Sequence, residues 1–155
     1  MICNLISLQE QKYMGIQTKI FFQNHDETDF RQLQQDVILA NIPNVEHGGN
    51  FMALDSDFSE ESFHYTPLVP VSMFEGTEYC QFTRQAGEYY CFEVQLKDLG
   101  PKWFQECSAF IEQNNLKIDR SFDLEYYPAD YMDKLRSGDF CFPDQTICLI
   151  FRKID

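Results

Sequence analysis

The order in which the hydrophobic patterns follow one another constrains this chain more than any single motif. Lys12 to Phe22 alternates, with Met14, Ile16, Thr18, Ile20 and Phe22 on one side, the period-two signature of a strand. Asp26-Glu27-Thr28-Asp29 follows, supplying capping oxygens and acid for the positive end of a helix dipole. Phe30, Leu33, Val37 and then Ala40 or Asn41 recur at helical spacing until Pro43 forbids continuation. Gly48-Gly49 marks a turn, and Phe51 to Leu54 and Phe63 to Met73 read as two more strands. Pro67 and Pro70 lack the N–H that a sheet ladder uses, which predicts an edge or bulged position for the longer one. The acidic stretch Asp55 to Glu61 between them reads as an exposed loop.

The second half repeats this order. Glu78 to Arg84 and Tyr89 to Leu96 are strand-like, separated by a turn at Ala86-Gly87. Gly100-Pro101 opens a helix, with proline in the first turn where its missing N–H costs nothing. Phe104, Cys107 or Ser108, and Ile111 share one face of it, Trp103 and Phe110 lie beside them, and Asn114-Asn115 closes it. Phe122 to Tyr127 and Thr146 to Lys153 are the closing strands, and Asp130 to Pro143 reads as a loop holding at most one helical turn. Strand, helix, strand, strand therefore occurs twice, with one additional strand at the junction. The expected fold is α+β: two pseudo-symmetric halves sharing a mostly antiparallel sheet, each with a helix on one face, and a ligand cleft where they meet. Residues 1–155 form a single domain in this reading, with no linker or low-complexity run to divide it.

Charge limits the partners. Twelve Lys and Arg stand against 25 Asp and Glu, a formal net charge of −13. Nucleic-acid binding neutralises phosphates with basic side chains, so this balance argues against DNA or RNA, and anionic lipid would also repel it. Cationic ligands or a basic protein patch remain compatible, as does a merely well-solvated surface. Met1 to Leu8 has no basic lead-in and no long apolar run, and reads as the opening of a strand rather than a secretory signal. Six cysteines, at 3, 80, 91, 107, 141 and 148, include no Cys-x-x-Cys. Reduced thiols in a cytoplasmic protein are expected, with Cys91, Cys107 and Cys148 acting as small hydrophobes inside apolar runs.

Several short motifs, in their order, resemble one family. Tyr13-Met14-Gly15-Ile16 is similar to the opening strand of the GyrI-like effector-binding domains, which also serve as the ligand-binding part of some bacterial AraC- and MerR-type regulators. Phe63-His64-Tyr65 with Val69-Pro70-Val71 resembles their fourth strand, and Ala86-Gly87-Glu88-Tyr89-Tyr90-Cys91-Phe92 their Ala-Gly-x-Tyr-x-x-Phe turn and strand. Trp103 falls on the helix where the family carries tryptophan, Leu124-Glu125-Tyr126-Tyr127 is similar to its apolar-Glu-x-Tyr strand, and Thr146 to Ile154 to its last strand. That last strand departs from the pattern, reading Cys148-Leu149-Ile150-Phe151-Arg152-Lys153-Ile154 without the family's acid and proline. The resemblance implies a stand-alone effector domain, without the helix-turn-helix that precedes it in regulators.

Glu125 is the sharpest chemical candidate. From the pattern alone it either faces solvent on an alternating strand or aims its carboxylate inward, where burial requires a hydrogen bond or a cation. The resemblance implies the second, since drug-binding members use a glutamate here. The chain holds 15 Phe, 8 Tyr and 1 Trp. Tyr65, Phe82, Tyr89, Tyr90, Trp103 and Tyr127 are candidate walls for an apolar cation, although each also fits ordinary core packing. His25, His47 and His64 lie in no metal-ligand spacing, and Gly48-Gly49 is too little for a phosphate loop. No catalytic residue, metal or cofactor is assigned. The expected function is binding of a lipophilic, cationic small molecule. The alternatives are a gyrase-inhibitor-like protein contact and hydrolysis of reactive toxins, with Glu125 positioning water.

Overall fold

The computed structural model describes residues 1–155. Nine strands, β1 (Cys3–Leu8), β2 (Gln11–Gly15), β3 (Thr18–Phe21), β4 (Met52–Ser56), β5 (Ser62–Val71), β6 (Cys80–Arg84), β7 (Gly87–Gln95), β8 (Asp123–Tyr126) and β9 (Thr146–Arg152), form one sheet. All of its pairings are antiparallel. Three helices, α1 (Phe30–Leu39), α2 (Pro101–Gln113) and α3 (Tyr131–Ser137), complete the α+β fold. Across the sheet the order is β1-β7-β9-β8-β4-β5-β2-β6, with β3 also on β5.

This order has an internal two-fold. Outward from the central β4·β8 pair, one side runs β4, β5, β2 and the other β8, β9, β7. Each half contributes an opening strand, a second strand (split as β2 and β3 in the first half), a helix and two further strands, and its last two strands pair antiparallel, β4 with β5 and β8 with β9, the latter across α3. The strand that opens each half crosses over: β1 pairs with β7 of the second half, and β6 pairs with β2 of the first. The two halves are therefore stitched by an exchange of edge strands as well as by β4·β8.

Local chemistry sets the elements. The Asp29 side chain caps α1 by accepting from the Gln32 N–H at 3.1 Å. Pro101 occupies the first turn of α2. The residues expected to form a loop at 130–143 contain α3, which ends on Gly138 in the left-handed region at φ 65°. The Gly138 carbonyl accepts from the Arg31 guanidinium at 2.6 Å, tying α3 to α1.

Two expectations need correcting. Lys12 to Phe22 is not one strand but two, β2 and β3, both on β5 in the same register: Gly15 faces Leu68 and Thr18 faces Tyr65. The break at Ile16-Gln17 lies opposite Pro67, which has no N–H to give the ladder. A Cβ on Gly15 would stand 2.0 Å from the Pro67 carbonyl oxygen, so only glycine lets the strands approach here. Second, β5 is neither edge nor bulge. It lies between β4 and β2/β3 and is buried over nearly its whole length. Its prolines are tolerated because the break between β2 and β3 and the end of β4 fall beside them.

The sheet has two dressed faces. On the helix side, α1 and α3 cover the first half around Val37, Tyr65, Tyr127, Tyr131 and Leu135. There α2 covers the second half around Phe92, Cys107, Ile111 and Leu149. On the opposite face Tyr13, Met52, Leu68, Tyr89, Leu124 and Ile150 pack together. No helix is long and apolar enough to cross a membrane. All six cysteines are free thiols; Cys91 and Cys107 are buried, Cys148 is half-buried, and Cys80 and Cys141 are exposed.

Candidate functional site

The helix-side face of the central pair carries acid. In β4·β8, Ala53 faces Glu125 and Asp55 faces Asp123, so all four side chains leave the sheet on one side. Asp55 and Glu125 are diagonal neighbours on that face and share a hydrogen bond between their carboxyls. Asp55 comes from the first half of the chain and Glu125 from the second. The fold has thus placed one acid from each half at its centre. Asp55, expected in an exposed loop, is instead the buried fourth residue of β4.

Tyrosines and one glutamine enclose the pair. Tyr127, just beyond β8, donates to Glu125 Oε1 at 2.7 Å. Gln34 of α1, fully buried, donates through Nε2 to the hydroxyls of Tyr65 at 2.7 Å and Tyr127 at 3.0 Å. Tyr131 of α3 donates to Gln34 Oε1. One continuous chain therefore runs from Tyr131 of α3 through Gln34 of α1 and Tyr127 to Glu125, with Tyr65 of β5 as a branch at Gln34. Tyr65 stands directly opposite Asp55 across β4·β5, and the Tyr127 and Tyr131 rings lie 4.3 Å apart.

Electrostatically the site is unbalanced. Glu125 and Asp55 are 5% and 7% exposed, and neither forms a salt bridge. Burial pushes the Asp55 carboxyl well above the ordinary carboxylate range, reinforced by the Glu125 charge and by the hydrogen bond between them. Burial also raises Glu125, but hydrogen bonds from Asp55 and Tyr127 and the more distant His25 oppose this. Asp123 is pushed up to about 6 by burial and by Glu125. An Oδ1 of Asp55 has no hydrogen-bond partner. These acids do not form a metal-ligating group.

Aromatic rings lead from this centre to the surface. Phe30 packs edge-on to Tyr65 at 4.9 Å, His25 lies 5.2 Å from Phe30 and 6.4 Å from Phe63, and Phe63 stacks with both Phe22 and Phe58 at 5.6 Å. Phe22 and Phe58 are exposed. The row thus connects buried carboxyls to solvent through rings carried on β5, α1 and the 3-10 turn Phe22–Glu27.

Of the seven residues singled out from sequence, the structure brings Glu125, Tyr65 and Tyr127 into one cluster. Trp103 sits half-buried on α2, packed against both helix-side cores and hence at the seam of the halves. Tyr90 shares the helix side but packs against the α2 core. Phe82 and Tyr89 lie on the opposite face, away from Glu125. The junction itself is filled by the tyrosines and Gln34. Two open cavities lie elsewhere: one of about 470 Å³ beside Val37, Ile42 and Arg136, and one of about 130 Å³ beside Phe82 and Tyr89. Sequence reading missed Gln34 and Asp55. Gln34 lies between Phe30 and Val37 on the apolar stripe of α1, and a lone polar residue there is the signal. Asp55 continues the alternation of Phe51 and Ala53.

The paired halves sharing one antiparallel sheet have the GyrI-like fold. Comparison of the sequence with models of protein families and with characterised proteins gives no match. Solved structures carry the likeness. SAV2435 bound to tetraphenylphosphonium has a TM-score of 0.65 and 17% identity, over 99% of this chain and 94% of that one. The EcmrR C-terminal domain has a TM-score of 0.64 and 11% identity, over 99% and 97%. The EcmrR chain of an EcmrR–DNA complex has a TM-score of 0.66 and 12% identity; this chain covers 58% of it.

Proposed function

We propose that the protein binds a lipophilic aromatic cation at the Asp55–Glu125 pair. The carrying observation is a buried carboxyl pair that meets tyrosines and glutamine but no cationic side chain. Such a charge is poorly compensated from within, and a ligand cation supplies what the protein withholds. Tyr65, Tyr127 and Trp103 would offer ring faces, each worth about 0.5–2 kcal/mol to a cation. The tetraphenylphosphonium held by SAV2435 on the same fold supports this ligand class. Because the centre is packed, entry requires the Phe22–Glu27 turn and Phe30 to move aside, opening the row of rings that ends at Tyr65. In this reading Phe82 and Tyr89 are core residues rather than walls. The chain acts as a binding module, without catalysis and in the reducing cytoplasm.

The test follows Trp103 fluorescence while tetraphenylphosphonium is added to wild type and Glu125→Gln. Loss of the charge should weaken the cation by about a hundredfold or more, a few kcal/mol at the effective dielectric of a protein site. Unchanged affinity would acquit Glu125. Turnover of an electrophilic ester that Glu125→Gln abolishes would show a hydrolase instead.

A further inference from the structure

The face opposite the helices holds two arginines that nothing in the acidic-centre reading uses. Arg84, at the end of β6, is 7% exposed. Its guanidinium lies over the rings of Tyr13 and Tyr126 at 5.8 and 5.7 Å. It donates to the Tyr13 hydroxyl at 3.0 Å and the Gln9 carbonyl at 2.9 Å, and its Nε has no partner. Arg152, at the end of β9, donates to the Ala86 carbonyl at 3.2 Å, and its Nε is likewise buried and unpartnered. A Cβ on Gly87, whose φ is +149°, would come within 3.3 Å of that Nε, so glycine at this turn leaves Arg152 its place.

Neither arginine forms a salt bridge, in a chain with 25 acidic residues against 12 basic ones. That is unexpected if the two are structural ion-pair members, because carboxylates are plentiful. Both line the 130 Å³ cavity. Its only carboxylate, Asp119, is held by the backbone N–H and hydroxyl of Ser121 at 2.9 and 2.6 Å. Phe82 and Phe122, edge to face at 5.3 Å, form one wall with Tyr89 and Leu124.

We propose that this cavity is a second ligand site, which takes a small carboxylate carried on an aromatic body. The guanidinium fork is matched to a planar carboxylate. The carboxylate meets two arginines that form no salt bridge, with Asp119 the one acid that feels Arg152, and the ring packs against the Phe82–Phe122 wall. Four apolar walls and a small volume favour this over a phosphate, whose oxygens would all need donors.

The experiment titrates 4-fluorobenzoate and its neutral counterpart 4-fluorobenzamide into the wild-type protein, read by fluorine NMR line width. The benzoate should saturate and bind about tenfold or more tighter than the amide, since hydrogen bonds to a charged group are roughly twice as strong as neutral ones. Arg152→Gln should remove most of that preference while leaving the amide unchanged. A saturating lipophilic cation at the acidic centre should not displace the benzoate. Equal binding of the pair, no saturation, full displacement by equimolar inorganic phosphate, or an unaltered preference in Arg152→Gln would overturn the site. The wild-type pair decides even where a variant fails to fold.

Discussion

The Tyr127 hydroxyl accepts from Gln34 and donates to Glu125, so its removal leaves a buried carboxylate one donor short. Gln34 keeps Tyr65 as acceptor, which confines the damage. Tyr127→Phe should therefore cost about 1–3 kcal/mol, read from urea denaturation. Asp55 gives a pH signature. Its folded carboxyl binds a proton more tightly than the unfolded one does, so between about pH 4 and its raised folded value the native state holds the extra proton. Stability from this group is complete at low pH and is lost as pH rises through that window. Asp123, at about 6, adds to the same slope. Asparagine at 55 has nothing to ionise. The melting temperature of Asp55→Asn should match wild type near pH 4 and exceed it by several degrees near pH 7. Parallel curves would show that Asp55 is already ionised at no cost.

At the scale of elements, Gly15 is where β2 and β5 touch. Gly15→Ala drives a methyl into the Pro67 carbonyl, and because backbone rather than a side chain must yield, the loss should reach about 2–3 kcal/mol in the same denaturation measurement. Alternation, short apolar runs and capping made β4, β5, β7, β9, α1 and α2 legible in the sequence, because each leaves a local hydrophobic pattern or a terminal signal. What sequence reading misplaced depended on partners far along the chain. The prolines of β5 suggested an edge, but their missing donors fall beside a strand break and a strand end that only the tertiary pairing reveals. Short α3, with Tyr131, Met132 and Leu135 buried, is hidden among charged residues and gains its stability by docking on α1. At the site, Glu125 and two tyrosines could be found because they share a strand pattern and a family resemblance. Gln34 and Asp55 carry only a positional signal, a polar residue on an apolar stripe and an acid in an alternating strand, and their place in the cluster is set when α1 and β4 come together. Phe82 and Tyr89 lie on the opposite face because strand alternation in β6 and β7 turns them away from the helices.

Across the whole molecule, the two halves exchange their first strands and bring Asp55 of one and Glu125 of the other together at the central β4·β8 pair. The acidic centre is thus a product of the duplicated arrangement, and neither half contains it alone. Two carboxyls sharing a proton give a site that changes charge on binding: a cation favours both ionised forms and expels the proton. Affinity should therefore rise with pH across the range in which Asp55 still holds its proton. The most direct measurement is a calorimetric titration with a tetraaryl cation and with tetraphenylborate, an anion of the same size and shape. The account predicts that the cation binds about a hundredfold or more tighter than the anion, with affinity increasing from about pH 5 to 8. Equal affinity for the two, or binding of the cation that ignores pH and survives Glu125→Gln, would contradict it.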